Sequence, residues 1–190
     1  MHKLKGFTLI ELLVATGLFV VVISIVSASF IQALRAQRSI TALMEANDNV
    51  SLVLEQIARE IRTGYRFCTK DYPIPTTIAD NPDIPVNYCS GLGDDELVFV
   101  NANNQVVWYK FENEAIWKGT EDIFLGRDYK KITADNVKIN YFNIILSGND
   151  SKDGLQPRIT ISLSISPTGR DIKDVKTNIQ TTISARLIDD

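Results

Sequence analysis

Hydrophobic and polar positions follow two different rules along the first third of the chain. From Phe7 to Ile31 almost every residue is apolar and Glu11 is the only charge, a run long enough to cross a bilayer as a helix. Further on, the apolar positions thin to Ile40, Leu43, Val50, Leu54, Ile57 and Ile61, at helical steps interrupted only by Asn47. That is one stripe of an amphipathic helix. Its other face carries Arg35, Arg38, Glu45, Asp48, Glu55, Arg59 and Arg62. No proline precedes Pro73 and Gly64 supplies a stop, so the pattern predicts one helix from Thr8 to Thr63, about 84 Å long. Gln56, Arg59, Glu60 and Arg62 are expected on a solvated or intersubunit face.

After a proline-rich stretch the period changes to two. "ELVFVNANNQVVWYKFENEAIWKG" predicts a three-strand meander over Glu96–Asn101, Gln105–Glu112 and Ala115–Lys118, with turns at Ala102–Asn104 and Asn113–Glu114. Further strands are expected at Val137–Leu146, Arg158–Ser166 and Asn178–Leu187. Trp108 and Trp117, at strand positions, are expected in the core rather than on a ligand platform. The fold class is therefore α+β. A long amino-terminal helix, half in a membrane and half docked, packs on one face of an antiparallel β-sheet.

Composition narrows the chemistry. The net charge is −3, and without Lys3 and Lys5 the chain keeps 18 basic against 23 acidic residues. No Lys/Arg run is left to follow a phosphate backbone, so no nucleic-acid partner is expected. The only histidine is His2, and no GxSxG, paired-ligand or phosphate-loop pattern occurs. The chain is read as not an enzyme, with no catalytic residue, no cofactor and no metal site. The loop "SGNDSKDGLQ" at Ser147–Gln156 gathers Asp150 and Asp153, but its spacing fits no EF-hand and its residues are ordinary turn formers. Cys68 and Cys89 are the whole thiol inventory and enclose Pro73, Pro75, Pro82 and Pro85. They are too few for zinc. They are expected to form a disulfide in an oxidising compartment, and to be two buried thiols otherwise.

Glu11 decides between explanations of the amino terminus. A carboxylate within a membrane segment is costly unless paired. A secretory signal peptide, cut near "VSA" at Val26–Ala28, has too long an apolar stretch and an unexplained acid. A plain signal anchor explains Lys3 and Lys5 by the positive-inside rule, but leaves Glu11 unexplained. Cleavage between Gly6 and Phe7 explains both. It creates a positive amino terminus one turn from Glu11, and an acid in a first helical turn is favoured by the helix dipole.

"KGFTLIELL" resembles the class III leader and amino-terminal segment of type IV pilins and type II secretion pseudopilins. Gly6, Phe7, Thr8, Leu9, Ile10 and Glu11 satisfy that pattern in order. The resemblance implies a pilin-like fold, cleavage after Gly6 by prepilin peptidase, and N-methylation of Phe7. It also implies that Glu11 pairs with the Phe7 amine of a neighbouring subunit during assembly on an inner-membrane platform. Ala28 stands where major pilins have proline, and the presence of Glu11 departs from the tip subunit of the secretion pseudopilus, so the resemblance points to a minor subunit. The implied organisation is a leader at 1–6, a transmembrane assembly helix at 7–31, its amphipathic continuation at 32–66 and an extracytoplasmic β-rich domain at 67–190, with a proline-rich αβ loop at 67–95. The alternative is an adhesive or ligand-binding module carried on a filament or tethered to the membrane. It predicts an aromatic groove or a basic strip, and the sequence shows neither.

Overall fold

The computed structural model describes residues 6–71, 89, 91–93, 95–122, 126–149, 155–169 and 175–186. The chain divides into two compact units, Met1–Thr41 and Ala42–Asp190. A single helix, α1, spans Leu9–Thr63. Over residues 9–31 the helix is almost entirely apolar and its described residues are exposed, a run long and apolar enough to cross a bilayer.

In the second unit α1 obeys the other rule. Ala46, Val50, Val53, Leu54, Ile57 and Ile61 are buried, at steps that keep them on one face. The expected stripe is corrected at its start, where Ile40 is 55% exposed. Six residues from Ala46 turn it about 120° off the buried face. The helix ends at Thr63, earlier than an amphipathic continuation to residue 66 requires. Gly64 follows because a Cβ there would lie 2.6 Å from the Phe99 ring, a distance no side chain tolerates.

Tyr65 then opens the first of two antiparallel sheets. The five-stranded sheet has the order β1 (Tyr65–Cys68), β2 (Glu96–Val100), β3 (Val106–Glu112), β4 (Ala115–Asp122) and β5 (Gly126–Lys131). The expected meander is its centre. The outer strands β1 and β5 were not predicted, since neither "YRFC" nor "GRDYKK" alternates apolar with polar residues. Asn113 and Glu114 form the β3–β4 turn with φ of 51° and 61°, the doubly left-handed geometry that suits the twist of a two-residue hairpin.

The second sheet has the order β6 (Val137–Ser147), β7 (Arg158–Pro167) and β8 (Thr177–Ser184), so a single sheet is corrected to two. Along β6 the inward residues are Val137 and Ile139, then Phe142, Ile144 and Leu146. The one-residue change of phase is absorbed by a bulge between Ile139 and Tyr141, which turns Tyr141 and Ile145 outward.

One core joins the buried face of α1, the Leu97, Phe99, Val107, Tyr109 and Ile116 face of the first sheet, and the inward face of the second. The opposite face of the first sheet is buried too. Val98, Val100, Val106 and Trp108 pack with Cys68 and Leu92, flanked by Tyr65, Cys89 and Tyr129. Burial on both faces is why β2 reads as an unbroken apolar run. Trp108 is core, as expected. Trp117 is only half-buried, its indole nitrogen donating to the Glu112 carbonyl at 2.9 Å.

Candidate functional site

Three places among the described residues bear on the expected site, and the first is the start of α1. Thr8 precedes the helix, and its hydroxyl accepts a hydrogen bond from the Glu11 backbone N–H at 3.3 Å. One Glu11 carboxylate oxygen lies 3.5 Å from the Thr8 backbone nitrogen and 3.4 Å from its hydroxyl. This is a capping box, in which two otherwise orphaned N–H donors of the first turn find acceptors. The sequence signal for it is the T-x-x-E spacing of Thr8 and Glu11, which the reading of Glu11 as an assembly residue passed over. Gly6 and Phe7 stand exposed ahead of the helix, Phe7 at 83%. Deeper in the same segment, the hydroxyls of Thr16 and Ser24 donate to the carbonyls of Leu13 and Val20. These two hydroxyls thus bond to their own helix, the arrangement an apolar solvent demands.

The second place is Cys68–Cys89, joined in a disulfide across a sequence separation of 21 with Cα atoms 5.9 Å apart. Cys68 is fully buried at the end of β1, and both cysteines contribute to the smaller core around Trp108. Closing a loop of this size stabilises the fold by about 3 kcal/mol in the chain-entropy model.

The third was not anticipated. Glu60 was expected on a solvated face of α1. Its carboxylate instead accepts a hydrogen bond from the Tyr109 hydroxyl on β3 at 2.8 Å and an ion-paired one from Lys118 Nζ on β4 at 2.5 Å. The Glu60 and Lys118 side chains are 23% and 20% exposed. Burial, followed by the Glu60 charge, pushes the Tyr109 hydroxyl well above the ordinary tyrosine range, so it stays a proton donor. Both Tyr109 and Lys118 are bonded to the Glu60 carboxylate, an arrangement that ties the helix to the sheet. Gln56, Arg59 and Arg62 do remain exposed, with Arg59 on Glu55 at 2.7 Å. A glutamate between Arg59 and Ile61 gives no sequence signal of half-burial, because its partners lie 49 and 58 residues away.

Asp150 and Asp153 lie outside the described residues. Among the described residues, no three His, Cys, Asp or Glu side chains come together as metal ligands.

A long amino-terminal helix packed on antiparallel sheets is an α+β architecture consistent with a pilin-like fold. Residues 1–27 match the family model described as the prokaryotic N-terminal methylation motif. The stretch containing Gly6, Phe7 and Glu11 is therefore a prepilin-type segment, as its resemblance to type IV pilins and pseudopilins implied. No curated protein and no solved structure matches the chain.

Proposed function

We propose that this chain is a minor pilin or minor pseudopilin, a structural subunit of a type IV pilus or a type II secretion pseudopilus. The observation that carries this reading is the methylation-motif match over residues 1–27, on a helix whose apolar amino-terminal part is long enough to span a bilayer. In this reading prepilin peptidase cuts between Gly6 and Phe7 and methylates the new amine. Lys3 and Lys5 keep the leader on the cytoplasmic side, and the globular unit, with its disulfide, lies in an oxidising compartment. The capping box gives Glu11 partners within its own chain. On assembly its carboxylate turns to the Phe7 ammonium of a neighbour, a stronger, charge-assisted partner than a backbone N–H.

The test is the intact mass and amino-terminal sequence of the protein purified from its own membranes. A chain starting at Phe7 and heavier by one methyl group is the expected result. A chain starting at Met1 or near Ser29 overturns the reading. Glu11→Leu should then leave cleavage intact and abolish recovery of the subunit in sheared filament fractions.

A further inference from the structure

The apolar part of α1 is bounded by charge at both ends. From Leu12 to Leu34 no residue is charged, and the helix is unbroken over that stretch. At 1.5 Å per residue the run is about 35 Å long, which fits a hydrocarbon layer of about 30 Å at ordinary tilt. Glu11 bounds it on one side. Arg35 bounds it on the other, and Arg38 follows one turn later.

Among the described residues, no carboxylate pairs with either arginine. The positions three and four away on the helix are Ile31, Gln32, Leu34, Ser39, Thr41 and Ala42, none of them an acid that could reach across a turn. No acid occurs between Glu11 and Glu45 at all. Further along the same helix Arg59 does find one, Glu55, at 2.7 Å. Arg35 and Arg38 are both exposed, and residues three apart are neighbours on a helix surface.

The positive-inside rule gives no reason for a cationic pair at the end away from Lys3 and Lys5. Two arginines are also too few to hold a nucleic acid, whose affinity grows with each phosphate neutralised. What a membrane-length run places beside its own end is the headgroup layer, where the anion is a phosphodiester. Arginine suits that anion. Its planar fork meets two phosphate oxygens at once, and its long stem lets the charge reach the layer from the hydrocarbon edge. We infer that Arg35 and Arg38 form a binding site for phospholipid headgroup phosphate, on the membrane surface away from the leader, and that this contact sets the depth of α1. The helical rise then puts Glu11 about 36 Å from Arg35, at the opposite boundary of the hydrocarbon and not in its middle. The inference rests on the membrane-spanning reading of α1 and does not depend on the filament reading.

The experiment uses the full chain, isotopically labelled at the arginine guanidinium carbon, in phospholipid bilayers. The buffer is free of phosphate, so that lipid supplies the only phosphorus. Solid-state NMR should show guanidinium signal dephased by lipid phosphorus, and Arg35→Gln with Arg38→Gln should abolish it. Depth is read from Gln37→Cys, an exposed position between the two arginines, by its labelling with a membrane-impermeant maleimide. Without the two charges the helix can slide inward, and that labelling should slow about tenfold. Arg35→Lys with Arg38→Lys, which keeps both charges, should restore most of the rate. Continued protection of Cys68 and Cys89 from thiol reagents checks that each variant is folded. Dephasing that survives the loss of both arginines, or a labelling rate indifferent to that loss, overturns the inference. Release of the wild-type chain from the bilayer by alkaline carbonate overturns the membrane-spanning reading, and the inference with it.

Discussion

The two parts of α1 share one backbone and answer to different solvents. Between Leu9 and Ile31 the helix is almost entirely apolar and exposed, whereas between Ala46 and Ile61 it buries one stripe and leaves mostly polar residues outside it. An aliphatic residue therefore means different things in the two places. In the second part it is a contact with the sheets, and its loss leaves a cavity. In the first it faces whatever surrounds the helix, and its loss costs the globular fold nothing.

The largest test of that contrast is a pair of truncations. Ile57→Ala should destabilise the globular unit by about 3 kcal/mol, since Ile57 is 1% exposed in the core. Ile23→Ala should leave the same unfolding transition unchanged. Both tryptophans lie in the second unit, so tryptophan fluorescence during denaturation of the full chain in detergent reads that unit alone. Equal losses from both substitutions would break the comparison.

Next comes the polar tie of the second part. Glu60→Ala leaves the half-buried Lys118 and the buried Tyr109 without their acceptor, and about 2 kcal/mol should be lost by the same measurement. Tyr109→Phe in the Glu60→Ala background should cost less than it does in the wild type, because the two share one interaction.

The smallest effect is on pH. The Tyr109 hydroxyl is held above its ordinary value near 10 in the folded state. Its contribution is present in full below that value and declines as pH rises past it, where the unfolded chain releases the proton and the folded chain keeps it. Denaturation midpoints should fall between pH 9 and about 11, and Tyr109→Phe should make that fall shallower. An unchanged slope would separate Tyr109 from the alkaline limb.

What could be read in advance follows the range of each interaction. The β2–β4 meander was visible because its alternation and turn residues are local, and the methylation-motif segment because its pattern is a short local one. The edge strands β1 and β5 were not. Each relies for its place on the neighbour it pairs with more than on its own pattern. Two sheets could not be told from one, since both write the same period of two. The phase slip at Asn140–Tyr141 was on the page as a pattern, yet only pairing with β7 shows it to be a bulge. Glu60 was hidden because a carboxylate's burial depends on distant partners, here Tyr109 and Lys118.

The position of the disulfide has a mechanical side. Gly64 alone separates α1 from β1, and Cys68 ends β1, so a pull along the helix enters the sheet within five residues. At Cys68 the load can cross directly to Cys89. The covalent shortcut removes a segment with sequence separation 21 from the stressed path, about 70 Å of chain that force cannot pay out. A chain drawn by its helix would reach its β2–β4 ladder under tension without first paying out the segment between Cys68 and Cys89, and would lose that protection on reduction.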